Sequence, residues 1–505
     1  NLGVTELTMA LHRNFDFKKD KLLFDVGHQC YTYKILTGRD FSNIRKKDGP
    51  SGFQKRSESQ YDCYECGHSS TSVGAAMGIA KARDLNKEKF DIVAYIGDAS
   101  FENGLVFEAL NNLSREREKI IIILNDNEMS IGKNEGGLSK TFRKLTSTKP
   151  YQKSKNVIKK AFSITRFGRW LLRGMSNFKA WLKRHLISLN LFDLMNIKYI
   201  GIVDGHNIKA MEKAFKKANS INGPVVVHIK TKKGKGVEYA ENDTKGIYHG
   251  VGKFDKDTGE IIKDDCSISW SQLYAEQLYK IIKNDEKSVV VCPATALGSG
   301  LDDIGKDFSD RFYDVGIAEE HAVTFSSGLA LGGKDDGIKP VLVMYSTFSQ
   351  RVFDQLWHDF CLQNAGTHDL SLTLMLSHAG FVTGDGVTHQ GIYDVALLSR
   401  LPEAEIWSPD TFDGMRAALD LALSSRGLTV IRYPKDTENV YGVDFCDNRE
   451  WKSTEFDGSG LDLVVTYGRI ARNALAAAKA HSEKTGRRTV VAVLERIAPL
   501  PDDAR

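Results

Sequence analysis

Across its 505 residues the chain has no apolar run of membrane-spanning length, no signal-peptide pattern at its start and no large excess of either charge. The first two absences argue against insertion and secretion and leave the cytoplasm as the expected location. With 69 basic against 65 acidic side chains, a net +4, the electrostatic signature of a general nucleic-acid binder is missing too. Cysteine is scarce: seven, an odd number, scattered through a large chain, exclude a disulfide framework and point to reduced thiols. The one close pair, Cys63-x-x-Cys66, lacks a second pair or metal-spaced histidines, so no zinc site is expected. Acidic residues vanish altogether between Gly136 and Phe192, where Lys and Arg recur. Such a stretch has the composition of a membrane or nucleic-acid contact, but nothing else in the chain points to those partners, and a solvated connecting arm is the expectation.

What is present is the composition of an α/β protein long enough for two or three domains. Its organising stretch runs from Asp91 to Met129. Ile92 to Ile96 is a short apolar run ending at Gly97-Asp98, Leu105 to Leu113 has helical spacing, and Lys119 to Leu124 is a second apolar run ending at Asn125-Asp126-Asn127. A strand-helix-strand crossover makes the two strands parallel, so Asp98 and Asn127 are expected at one rim, where open α/β sheets take ligands. A carboxylate and a carboxamide oxygen there suit Mg²⁺, which wants oxygen donors and keeps places for phosphate.

Two further words point the same way. Leu22-Leu23-Phe24 reads as a strand that puts His28 of Asp25-Val26-Gly27-His28-Gln29 on a loop at its end. Cys66-Gly67-His68-Ser69-Ser70-Thr71-Ser72 enters a small-residue helix, and a helix start rich in small hydroxyl residues offers N–H groups to an anion. From Ser269 to about Lys435 a second α/β domain follows. Strands are expected at Ser288–Cys292, Pro340–Tyr345 and Ser371–Leu376, with helices through His321–Leu331 and Gln350–Gln363. From Leu461 a strand, a helix and a strand open a third domain. The opening NLGVTELTMAL reads as helix interior, and PDDAR stands where another helix is expected to begin, so residues are expected on both sides of this chain.

The words DVGHQ, KILTGR, KRSESQYD, GHSSTS, IGD, FEALNN, ILNDNEMSI, VDGH and TKKGKG, in this order, resemble the 1-deoxy-D-xylulose-5-phosphate synthase family of transketolase-like thiamine diphosphate enzymes. The resemblance implies a three-domain α/β fold with mostly parallel sheets: a diphosphate-binding domain over 1–265 carrying the basic arm 136–192, a pyrimidine-binding domain over 266–450, and the truncated start of a third over 451–505. It implies thiamine diphosphate and Mg²⁺ as cofactors, pyruvate and D-glyceraldehyde 3-phosphate as substrates, and a homodimer. Carried over residue by residue, it assigns the metal to Asp98, Asn127 and the backbone of Met129. The cofactor falls to His28, Gly67, His68, Ser69, Asp98, Ala99, Ser100, Asn127, Glu319 and Phe348. In Asp314-Val315-Gly316-Ile317-Ala318-Glu319-Glu320-His321, Glu319 is the acid expected to bond the cofactor's pyrimidine ring. His28, His249 and His389 are expected near the reacting carbon, and Tyr345, Arg351, His378, Asp385, His389 and Arg432 at the acceptor.

Three positions depart from the family pattern. Ala99 follows Gly97-Asp98 where a glycine is usual, Val237 follows Gly234-Lys235-Gly236 where a tyrosine is usual, and His378 stands where an arginine usually helps to hold the acceptor phosphate. Histidine lacks the charged planar fork. Two alternatives therefore stay open at this point: a related ketol or acyloin transferase with another acceptor, and a paralogue that binds the cofactor without turning over.

Overall fold

The computed structural model describes residues 1–127 and 191–502, apart from 244–245, 251, 263–267, 333–336, 383, 439–440, 442 and 448–449. Met129, nearly all of the basic arm and the helix expected to begin at the C-terminus lie outside the described residues. The chain divides into two compact units, Asn1–Asp243 and Thr244–Arg505. Among the described residues no helix is long and apolar enough to cross a membrane, and six cysteines are free thiols.

The first unit is built on β1 (Lys21–Phe24), β2 (Ile92–Gly97), β3 (Ile121–Asp126), β4 (Lys198–Asp204) and β5 (Val225–Lys230), in the order β1-β2-β3-β5-β4. Every pairing is parallel. The near-continuous apolar runs follow from that arrangement, because helices cover both faces of a parallel sheet and leave few strand positions for water. Alternate residues feed two separate cores. Leu22, Phe24, Val93, Tyr95, Ile121 and Ile123 pack with Leu7, Leu11, Met211 and Phe215 on one face. Leu23, Ala94, Ile96, Ile122 and Leu124 pack with Val73, Val106, Leu110 and Leu113 on the other. The crossover helix Gly104–Glu116 starts where the Asn103 side chain accepts the Leu105 N–H and ends at Arg117 in a left-handed conformation, so both expected strands and their helix form.

The second unit carries β6 (Ser288–Cys292), β7 (Phe312–Asp314), β8 (Lys339–Tyr345), β9 (Ser371–Ser377), β10 (Glu405–Trp407) and β11 (Gly427–Arg432), all mutually parallel where they pair. A later strand, β16 (Arg496–Ala498), closes this seven-stranded sheet antiparallel to β10. A smaller mixed sheet joins β12 (Cys446–Asp447), β13 (Trp451–Phe456), β14 (Ser459–Tyr467) and β15 (Arg487–Leu494) in the order β12-β13-β15-β14. Its β14, the helix Ala471–Thr485 and β15 are the strand, helix and strand expected from Leu461 onward.

One expected element changes. The helix anticipated over Gln350–Gln363 begins at Phe353, after a tighter 3₁₀ segment Ser346–Arg351, and its middle, Leu356–Cys361, widens to π-type bonding. The cause is local. Ser349 donates its hydroxyl to the Ser346 carbonyl at 2.7 Å and the Gln350 amide donates to the Thr347 carbonyl at 3.0 Å, so side chains take the bonds that an α-helix would need.

Candidate active site

In the first unit the parallel strands bring their carboxyl ends to one rim, and Asp98 and Asn127 each stand one position past such an end. Asp98, directly after β2, is buried and opens the short helix Asp98–Phe101. Gly97 pairs with Asn125, which sets Asp98 beside the end of β3, where Asp126 is buried and Asn127 half-buried. The Asp98 carboxyl is pushed up to about 8, first by burial and then by the charge of Asp126. The charge of Asp126 acting on the buried Asp98 carboxyl favours a proton or a cation at this rim, and the donors are hard oxygens. Among the described residues no three His, Cys, Asp or Glu side chains gather as a self-sufficient metal site. The arrangement fits Mg²⁺ that completes its shell with phosphate oxygens.

The loop after β1 carries His28, half-buried, and the loop Gly67-His68-Ser69 has its glycine and serine buried. These two loops are held together by a residue that the pattern reading did not single out. Asp25 accepts the backbone N–H groups of Ser70 at 2.7 Å and Ser72 at 3.0 Å, and the Ser70 hydroxyl donates to the Ser100 carbonyl at 2.9 Å. Two loops and the short helix Asp98–Phe101, each bearing expected cofactor residues, are thereby tied. Burial raises the Asp25 carboxyl, and the N–H bonds from Ser70 and Ser72 oppose that rise.

Asp126, His228 and Tyr199 were also missed. The available signal was the word VVVHIK of β5, in which one polar ring interrupts a run of buried apolar residues. A buried imidazole is costly unless bonded, and here His228 bonds at both nitrogens.

The second unit has its own rim. Glu319 opens the helix Glu319–Leu331 and is 3 % exposed. Burial raises its carboxyl, while Arg351, whose Nη1 stands 3.5 Å from Oε2, draws it back. Tyr345 ends β8, and Phe348 and Arg351 sit on the 3₁₀ segment that follows. His378, one residue past β9, is buried with φ +59°. The Tyr345 ring stacks on His378 at 4.0 Å between centroids and on Phe348 at 5.5 Å, and Phe348 meets His389 edge-on at 5.9 Å. An aromatic quartet thus joins four of the expected residues. Its packing needs Gly298, where a Cβ would lie 2.3 Å from the Tyr345 hydroxyl oxygen. Burial, helped by Lys435, lowers His378 to about 4, so its ring is neutral near neutral pH.

The cations on this rim have acidic partners. Lys435 lies 3.1 Å from Asp385, and the buried Arg432 grips Asp394 through Nε at 2.9 Å and Nη2 at 3.2 Å. Arg432 also donates to the Gly391 carbonyl at 3.2 Å, and Gly391 exchanges backbone bonds with Gly380. Its fork ties Gly391 to Asp394. His249 is exposed at the end of the short turn Ile247–His249, and Val237 is half-buried ahead of the turn Glu238–Glu241.

Comparison with known proteins gives this chemistry a family. Residues 1–231 match the family model described as 1-deoxy-D-xylulose-5-phosphate synthase, and residues 266–439 match the transketolase pyrimidine binding domain. The 1-deoxy-D-xylulose-5-phosphate synthase of Clostridium kluyveri is 41 % identical over 95 % of this chain and 76 % of its own length. That of Clostridium beijerinckii is 42 % identical over 97 % and 78 %. A transketolase from Leishmania mexicana, 16 % identical over 97 % of this chain and 80 % of its own, has a TM-score of 0.40, too low to add to the sequence match. Identity at this level, sustained through both units and nearly the whole length, means that the chain belongs to the 1-deoxy-D-xylulose-5-phosphate synthase family.

Proposed function

We propose that this chain is a thiamine diphosphate- and Mg²⁺-dependent transferase that decarboxylates pyruvate and passes the two-carbon unit to D-glyceraldehyde 3-phosphate, giving 1-deoxy-D-xylulose 5-phosphate. Family membership supports the reaction, and the observation that carries it is the buried Asp98 carboxyl beside Asp126, at a strand end that also presents Asn127. Bound thiamine diphosphate supplies the electron sink that lets pyruvate release CO₂.

The residues divide the remaining work. Asp98 and Asn127, with the backbone of Met129, hold the metal. His28, Gly67, His68, Ser69, Ala99 and Ser100 hold the cofactor. Glu319 would bond the cofactor's pyrimidine ring and hold or move a proton at its own carboxyl, and Phe348 would help to hold that ring. Tyr345, Arg351, His378 and Asp385 orient the acceptor, and His28, His249 and His389 serve proton transfer. Arg432 supports this set through Gly391 and Asp394. We assign the protein to the cytoplasm and to a homodimer, the first from its free thiols and the second from family membership.

Purified protein with pyruvate, glyceraldehyde 3-phosphate, thiamine diphosphate and Mg²⁺ tests the reading. Pentulose phosphate formed in step with CO₂ is expected. CO₂ released with no pentulose phosphate, or no turnover at all, would overturn it.

A further inference from the structure

We infer that Tyr199 and His228 are positioning residues for the divalent cation, acting through Asp126 to set how tightly the Asp98 rim holds it. The inference rests on the cation site proposed above and extends it to residues that touch neither metal nor cofactor.

The hydroxyl of Tyr199 lies 2.7 Å from Nδ1 of His228, and Nε2 of His228 lies 2.9 Å from Oδ2 of Asp126. The direction of this chain of bonds follows from its end. A carboxylate oxygen accepts, so Nε2 carries a proton and donates to Asp126, and the Tyr199 hydroxyl is the hydrogen-bond partner of Nδ1. His228 is completely buried on β5, between a residue on β4 and one at the tip of β3. The Asp126 main chain is fixed independently. Thr231 donates its N–H to the Asp126 carbonyl at 2.9 Å and its hydroxyl to the Asn125 side chain at 2.8 Å.

The far end of the relay returns to the same rim. The Tyr199 ring stacks on Phe192 at 5.5 Å and 11°, and Phe192 meets Phe101 edge-on at 5.7 Å. Phe101 closes the helix that Asp98 opens. The relay and the aromatic contacts therefore form a circuit that sets the tip of β3 and the Asp98 helix against one another. Outer-shell partners of this kind orient charged groups around a metal, and their loss typically weakens metal binding by about 10–100-fold.

The test is uptake of Mn²⁺ by the full chain with saturating thiamine diphosphate, read from the electron paramagnetic resonance signal of free Mn²⁺, beside the melting temperature of the cofactor-free protein. His228→Leu is expected to raise the Mn²⁺ Kd by about 10–100-fold. Tyr199→Phe, which keeps the stacked ring and removes one hydroxyl, is expected to raise it by a smaller factor. His228→Gln restores a donor and an acceptor and is expected to recover most of the affinity. Should Tyr199→Phe and His228→Leu lower the melting temperature yet bind Mn²⁺ as the parent does, the relay is structural only and the inference falls. Should His228→Leu fail to fold, Tyr199→Phe decides alone. A parent protein that takes up no Mn²⁺ with thiamine diphosphate would overturn the cation reading itself, and the relay with it.

Discussion

The Asp25 carboxylate accepts the backbone N–H of Ser70 at 2.7 Å, joining positions forty-five residues apart. With its second bond, from the Ser72 N–H, it fixes the loop Gly67-His68-Ser69 against the loop that bears His28. Asp25→Ala strands both N–H groups in a buried setting, at a cost of roughly 2–5 kcal/mol. Urea denaturation should show that loss, and calorimetry should show thiamine diphosphate binding about tenfold more weakly as the loops lose register. Asp25→Asn keeps one acceptor and should fall between the two. Unchanged cofactor affinity in Asp25→Ala would show that the loops hold their places without it.

Glu319 is the most direct test of turnover. Burial raises its carboxyl and the Arg351 guanidinium draws it back. Glu319→Gln keeps the size and loses the acid, so kcat should drop by about 10²–10⁴-fold. Mg²⁺-dependent binding of thiamine diphosphate, measured separately, should stay within a few-fold of the parent. A variant with parental kcat would assign the proton transfer elsewhere.

The aromatic quartet can be probed from behind. A methyl at Gly298 meets the Tyr345 hydroxyl oxygen at 2.3 Å, while the next ring atom is 3.5 Å away. Gly298→Ala alone should cost about 1–3 kcal/mol of stability and raise the KM for the aldehyde as Tyr345 is displaced. Adding Tyr345→Phe removes the clashing atom, so the double variant should be more stable than Gly298→Ala. A thermodynamic cycle over the two positions measures that coupling, and additive losses would count against the contact.

His378 makes the stability of this rim depend on acid. Its folded pKa, lowered from 6.5 to about 4 by burial, means that the unfolded chain takes up the proton first as pH falls. The contribution is whole above 6.5 and is lost as pH drops towards 4, by up to roughly 3 kcal/mol. His378→Gln should therefore lose less stability than the parent between pH 7 and pH 4.5 in urea titrations. Equal losses in both proteins would show that the ring does not titrate in this window.

The frame of both units was open to reading because parallel strands announce themselves. Ile92–Ile96 and Lys119–Leu124 are apolar at nearly every position and end at Gly-Asp or Asn-Asp, so the strands and the rim could be placed from sequence. What stayed hidden were partners distant in the chain. The bond between His228 and Asp126 spans 102 positions, and the grip of Arg432 on Asp394 spans thirty-eight. No periodicity carries such contacts; they exist only once the strands are laid side by side. The start of the helix after Tyr345 was misplaced for a related reason, since Ser349 and Gln350 bond backward to the main chain and spacing alone does not show it.

Several of the residues assigned to ligands stand just past a strand end: Asp98 after β2, Asn127 after β3 and His378 after β9. Exchange of a side chain there, as at Ala99 after β2, alters what the rim presents from a position beyond the strand that carries the packed layers. A scaffold with this division of labour is free to diversify: its selectivity can drift by single replacements without the molecule having to be refolded around each one.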